Sequence, residues 1–219
     1  RMRGFNLRNG GYYWAISDYI DLALTGDIYT NGSWGANLIT NYRKRYKYNG
    51  NLNFTMSRNH TSEKGMPDYT QSSDWSIRWT HAQDNKANPY STFSASVDIS
   101  SANNNYYNST NINDIANQRK QSSISWSKKW PEKPFSLTAA FSHNQNSRDS
   151  SISITLPNVN FRVSQFYPFR KKGKSGDLKW YDNIAVSYSA ELRNSIQTKE
   201  DLWSKSSFDK WQNGFKHSI

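Results

Sequence analysis

The chain contains no cysteine, which removes disulfides and thiolate chemistry without identifying a compartment. It has no run approaching the ~18 apolar residues of a membrane-spanning helix, so only a closed barrel would carry it across a bilayer. Hydrophobic residues make up 35%, fewer than the Leu, Ile and Val an ordinary soluble core of this size draws on. Acidic residues are also in deficit: 17 Asp and Glu against 28 Lys and Arg leave a net charge of +11. That balance favours polyanions such as nucleic acid, anionic lipid or phosphorylated saccharide. Basic loops beside anionic headgroups explain it equally well. No signal peptide is visible where the chain opens on Arg1-Met2-Arg3-Gly4-Phe5. An exported protein would carry that signal upstream, so the expectation is an internal fragment.

Chemistry-bearing constellations are missing too. His60, His81, His143 and His217 are dispersed and share no metal-ligand spacing. The carboxylates form no pair, and no phosphate-binding loop or nucleophile elbow occurs. The expectation is therefore no enzyme, no cofactor and no metal.

What the chain does have is alternation. In Tyr48-Asn49-Gly50-Asn51-Leu52-Asn53-Phe54-Thr55-Met56-Ser57 every even position is apolar or glycine and every odd one from Asn49 is small and polar. A period of two is a β-strand with one apolar and one wet face. The pattern recurs at Ile20 to Ile28, Trp34 to Tyr42, Trp75 to Thr80, Phe93 to Ile99, Ile124 to Trp126, Phe135 to Phe141 and Ile184 to Leu192. Tyr12 to Ser17 reads as a short first strand. Ile152 to Val163 reads as one long element whose apolar face changes parity at Pro157-Asn158, the mark of a bulge. Arg43-Lys44-Arg45, the polar stretch Arg58 to Ser72, Ala102 to Lys120 and Trp130 to Pro134 read as connections. Residues 196–214 read as a loop, with a capping-box-like Thr198-Lys199-Glu200-Asp201 opening a short amphipathic helix.

Aromatics at 15%, with nine Trp and fourteen Tyr, suit a barrel with aromatic girdles at the membrane interfaces and a polar interior. The fold class expected is all-β, an antiparallel transmembrane barrel of which about ten strands are present. By parity the interior receives Asp21, Asp27, Asn37, Asn41, Arg43, Asn49, Asn51, Asn53, Arg78 and Asp98. Such a lumen passes or holds a charged saccharide, or is filled by a plug protein. The run Tyr42-Arg43-Lys44-Arg45-Tyr46-Lys47-Tyr48 reads two ways: as a grip on phosphates and bases or sugars, or as a turn with interfacial tyrosines and headgroup-level cations.

Gly4 to Leu22, with Gly10-Gly11-Tyr12-Tyr13-Trp14-Ala15-Ile16 at its centre, resembles the start of the barrel in the LPS-assembly family LptD (OstA-type). Ala23 to Gly35, Phe93 to Tyr107 and Thr155 to Phe161 extend the likeness over most of the chain, closest to a divergent, non-proteobacterial branch. The resemblance implies an outer-membrane translocon of a Gram-negative bacterium, inserting lipopolysaccharide or lipooligosaccharide into the outer leaflet. It implies a lateral gate at the first strand, here Tyr12, Tyr13, Trp14, Ala15 and Ile16. It also implies an LptE-type plug lipoprotein, outer-membrane lipids, and periplasmic bridge proteins reaching a jelly-roll domain outside this sequence. By it the 219 residues form the N-terminal part of a larger barrel; Asn31-Gly32-Ser33, Arg58 to Ser72 and Ala102 to Lys120 face outward. Nucleic acid is not an expected partner. The first proline is Pro67, so first-strand prolines that weaken gate pairing in the better-known branch are absent; Gly10, Gly11 and Gly26 are the substitute. The connection from Gln165 to Lys179 is long for the periplasmic side. Two rivals stay open: a barrel of other function, porin-like or lipid-modifying, and a soluble basic β-protein that binds polyanions.

Overall fold

A computed structural model describes residues 4–62, 64–101, 104, 119–170, 179–199 and 211–219. Eleven strands run in chain order: β1 (Asn6–Ser17), β2 (Ile20–Tyr29), β3 (Trp34–Lys44), β4 (Tyr48–His60), β5 (Gln71–Gln83), β6 (Ser91–Ser100), β7 (Arg119–Lys129), β8 (Phe135–Asn146), β9 (Ser151–Phe166), β10 (Val186–Lys199) and β11 (Gln212–Ser218). Each pairs with its sequence neighbours in one sheet of order β1 to β11, and the pairings are antiparallel. Among the described residues β1 and β11 do not meet, so the sheet is open, an arc of a barrel wall.

Burial is inverted relative to a water-soluble domain. Among the described residues three hydrophobic ones are buried (Ala95, Val163, Ile196), against twelve polar or charged ones. Trp14, Phe54, Met56 and Trp75 stand exposed. A soluble sheet would hide those side chains; here the face that holds the recesses, the concave side, is polar, and the opposite, convex side is apolar.

Several local expectations are corrected. The first strand begins at Asn6 rather than Tyr12 and carries an irregularity between Leu7 and Gly10, where Asn9 has φ 55. Arg43 and Lys44 are not a link: they close the β3 ladder opposite Asn49 and Tyr48, and residues 45–47 make the turn. The strands flanking the polar loop extend through His60 and from Gln71. Arg119 and Lys120 begin β7; most of the expected loop before them lies outside the described residues. Of residues 196–214, the first four end β10 and the last three begin β11; residues 200–210, where the helix was expected, lie outside the described residues. The bulge is where parity put it. Register shifts by one residue on both sides of β9, between Ala140 and Ser142 and between Arg193 and Ser195, opposite 155–158.

Strand alternation puts the connections 18–19, 45–47, 84–90, 130–134 and 167–185 at one end of the sheet. Residues 30–33, 61–70, 101–118, 147–150 and 200–211 link strands at the other. The long β9–β10 connection therefore shares an end with the shortest turns.

On the convex face Tyr42 crosses Gly50, its direct partner on β4, and His81 flanks Gly50 from β5. An added methyl there would overlap the Tyr42 ring and press to within 2.6 Å of the Thr80 carbonyl. The glycine is the floor on which an aromatic lies, the arrangement that protects strand glycines in sheets. Gly50→Ala should destabilise by about 1–3 kcal/mol through overpacking. Gly26→Ala, where the nearest atom is 3.5 Å away, should cost less. Urea unfolding in lipid vesicles, followed by tryptophan fluorescence, checks the ranking.

Candidate functional site

The concave face is assembled by register. Asp21 on β2 stands opposite Asn41 on β3, and Asn41 opposite Asn51 on β4, which in turn faces Thr80 on β5. The Asn51 side-chain amide donates to Asn41 Oδ1 at 2.6 Å. Asn41 donates to Asp21 Oδ1 through its side-chain amide at 3.1 Å and its backbone N–H at 3.0 Å. Three strands are thus stitched by one row of short polar side chains. Arg43 and Asn49 form the next rung toward the short turns.

Further along, Asn37 lies between Thr25 and Thr55. Thr55 Oγ1 meets Ser76 Oγ at 2.6 Å. Asn53 faces Arg78, whose guanidinium sits 3.7 Å from Asp98 on β6. That pair is half-exposed and contributes little stability. Asp27 accepts the Asn9 backbone N–H at 2.8 Å and lies 3.9 Å from Arg8, tying the irregular start of β1 to β2. All ten residues read from parity as inward thus share this one face. Asn37 Oδ1 and Asn53 Oδ1 are buried without a partner among the described residues.

Tyr12 to Ile16 lie on the edge strand and divide between faces. Tyr12 and Trp14 pair opposite Leu24 and Leu22 on the apolar side; Tyr13 and Ala15 pair opposite Ala23 and Asp21. Tyr13 and Ala15 join Asp21, Asn41, Arg43 and Asn51 in lining an open recess of about 460 Å³.

Sequence reasoning missed a second recess, of about 410 Å³, lined by Ser136, Thr138, Asn158, Asn160, Arg162 and Glu191. The parity change at Pro157-Asn158 was its signal: beyond the bulge the polar residues of β9 are the even ones. Both recesses lie on the polar face.

No reacting constellation accompanies them. Among the described residues no three of His, Asp and Glu gather as metal ligands. Among the described residues Ser122 Oγ lies 3.4 Å from His143 Nδ1, and both side chains are buried. The Ser122 hydroxyl also accepts the Asp98 N–H at 3.0 Å and donates to the Asp98 carbonyl at 3.1 Å. Committed to the backbone and closed to solvent, it is a structural splice where β7 parts from β6. The two recesses offer hydrogen-bonding and charged side chains.

A consecutive antiparallel sheet, polar within and apolar without, is the wall of an outer-membrane type of β-barrel. The sequence model of the family described as LptD protein matches residues 1–219, and the chain belongs to that family. Membership makes it part of an outer-membrane, non-enzymatic transport family with a role in lipopolysaccharide assembly. No curated protein and no solved structure matches the chain.

The two faces should respond oppositely to charge. Phe54→Arg, mid-strand on the apolar face, should cost about 2–4 kcal/mol in a bilayer. Asn51→Arg on the polar face should stay within about 1 kcal/mol. Folded fraction against urea in phosphatidylcholine vesicles measures both, and equal costs would contradict the assignment of faces.

Proposed function

We propose that this sheet is the gate-side wall of a translocon that inserts lipopolysaccharide into the outer leaflet of a Gram-negative outer membrane. The observation that carries the reading is the first recess: one cavity is bounded both by edge-strand residues, Tyr13 and Ala15, and by the Asp21–Asn41–Asn51 row. A saccharide hydrated by that row stands next to the strand whose free edge would form the gate.

Each residue then has a physical task. Asn41, Asn49 and Asn51 exchange hydrogen bonds with sugar hydroxyls in place of water, so transfer into the lumen costs little. Arg43 has no carboxylate within ion-pair distance among the described residues and offers its guanidinium to a phosphate, the geometry it matches best. Tyr12, Trp14 and Ile16 face the acyl chains. Opening the seam along β1 breaks ladder hydrogen bonds worth about 1 kcal/mol net each, so a gate closed by few pairs opens at modest cost. Gly11 belongs to that strand by necessity: a Cβ there would lie 2.7 Å from Thr25 Cα, so the close β1–β2 approach requires glycine.

The second recess, with Arg162 and Glu191 on one surface, is the candidate seat for an LptE-type plug lipoprotein. Periplasmic bridge proteins would reach the assembly through a jelly-roll domain, and the chain would form the N-terminal part of the barrel. The soluble polyanion-binding alternative is disfavoured by the exposed aromatic face, an aggregation hazard in water.

Photoreactive residues at Tyr13, Asn41 and Leu38 in the full-length protein in cells test the path. Lipopolysaccharide adducts are expected at Tyr13 and Asn41 and not at the convex Leu38. Adducts with protein alone at both concave positions would make this wall a plug seat and overturn the transport reading.

A further inference from the structure

The short-turn end of the sheet carries a chemistry that the concave path does not use. Each of its five connections brings a cation against an aromatic ring. Lys44 Nζ lies 5.0 Å from the centre of Tyr19, in the β1–β2 turn. Tyr46, in the β3–β4 turn, has Arg45 at 4.9 Å and Lys86 of the β5–β6 connection at 5.0 Å. Lys128 lies 5.2 Å from Trp130 at the β7–β8 turn. Arg170 covers Tyr167 at 5.7 Å and Lys179 covers Tyr181 at 5.8 Å in the β9–β10 connection. At the opposite end the described residues show no such pair.

Among the described residues these cations meet ring faces and lie in no ion pair. The ion pairs among the described residues, Arg8–Asp27 and Arg78–Asp98, lie elsewhere. Two nearby carboxylates accept backbone amides: Asp84 accepts the Lys86 N–H at 2.8 Å and Asp182 the Lys179 N–H at 2.9 Å. Among the described residues at this end Lys44, Arg45, Lys47, Lys86, Lys128, Lys129, Lys133, Arg170 and Lys179 outnumber Asp18, Asp84, Glu132 and Asp182, so the rim carries a net positive charge. Tyr46 even occupies a left-handed backbone conformation, φ 61, which disfavours an aromatic residue. Strain of that kind persists where the surroundings impose it, here in a ring touched by cations from two connections.

Just inside the rim, on the convex face, lies a cluster of Tyr42, Tyr48, Trp79, His81 and Phe93, with ring centroids 5.3–6.4 Å apart. Trp79 Nε1–H donates to Tyr42 OH at 2.8 Å, and Tyr42 OH meets His81 Nδ1 at 2.8 Å. Amphipathic rings with their polar atoms gathered at one level are what the boundary between headgroups and acyl chains selects. Lys44 continues the same face one rung outward, opposite Tyr48.

We propose that this rim is a binding collar for the phosphate headgroups of anionic phospholipids, with its best-built locus at Lys44, Tyr42, Tyr48 and His81. A lipid surface fits better than a protein partner because the cation–ring pairs recur at every connection along the whole arc. A headgroup plane surrounds a barrel, whereas a docked protein covers a sector. Phospholipid is the source because short turns of such barrels face the periplasm, where the leaflet is phospholipid. The proposal rests on the membrane placement above and is independent of the saccharide path.

The test reconstitutes the full-length protein in phosphatidylcholine vesicles containing brominated phosphatidylglycerol or brominated phosphatidylcholine, and reads quenching of its tryptophans. The comparison variant, Lys44→Gln with Lys86→Gln and Lys128→Gln, keeps every ring. Wild type should bind phosphatidylglycerol several-fold more strongly. The variant should lose that preference, by up to about fivefold per cation removed, as should wild type in high salt. Equal quenching by both lipids in wild type, or a preference unchanged in the variant, overturns the proposal. So does loss of a co-purifying protein partner without any lipid preference, which would make the rim a protein interface. Lipopolysaccharide crosslinking at Asn41, measured on the same variant, should persist, which separates failure of the collar from failure of the transport path.

Discussion

The structure depends on one constraint: each backbone amide and carbonyl within the sheet must find its partner on an adjacent strand, because mid-strand the convex side is dominated by apolar side chains. Unpaired backbone groups in hydrocarbon cost several kcal/mol each. Pairing every strand with its sequence neighbours meets that demand with the shortest connections. The result is the simple order β1 to β11. Once the ladder is set, alternation sends one residue in two to each side, and the whole chemical character follows. The slip in β9 keeps the rule: an extra residue at the bulge moves Asn158, Asn160 and Arg162 onto the face already occupied by Thr155.

Stability and function occupy different faces. The buried polar groups do not form a core in the usual sense; they are covered by one another. At the end opposite the short turns, Asp74 accepts the Ser101 hydroxyl at 3.0 Å and the Ser72 hydroxyl at 2.7 Å. Gln145 reaches back to the Ser100 carbonyl at 3.0 Å, and Lys120 also bonds the Ser100 hydroxyl. These contacts draw the β7–β8 hairpin over the end of β6. Hydrogen-bonded networks of this kind rigidify a wall. The open rows near β1 instead leave groups to bind a passing solute. The rigid part of the wall is thus remote from the edge that would move.

Charge is partitioned as well. On the concave face Arg43 is mixed with asparagines, so on the proposed path a phosphate would be met without a dense positive field to trap it. At the short-turn end the cations among the described residues are bunched against rings. The first arrangement suits transit and the second suits residence. A net charge of +11 therefore reflects surface placement, and it does not require a nucleic-acid partner.

Much of this was legible in the residues alone, for a physical reason. A strand's period is two, so Asn49, Asn51 and Asn53 must lie on one side and Leu52 and Phe54 on the other, whatever the neighbours are. The same logic located the bulge at Pro157-Asn158. It failed where local pattern is weak. Asn6 to Gly11 is interrupted by an irregular residue, and Gln212 to Ser218 is too short and polar to announce a strand; both are strands because β2 and β10 supply the pairing. Register lay beyond the sequence as well, since it is set by turn geometry between strands. Alternation determined which face each residue takes. Only the tertiary structure decided that Asp21 meets Asn41 and Asn51, that Tyr42 lies across Gly50, and that cations from separate turns converge on shared rings, because those contacts arise between strands and no local pattern encodes the distance between them.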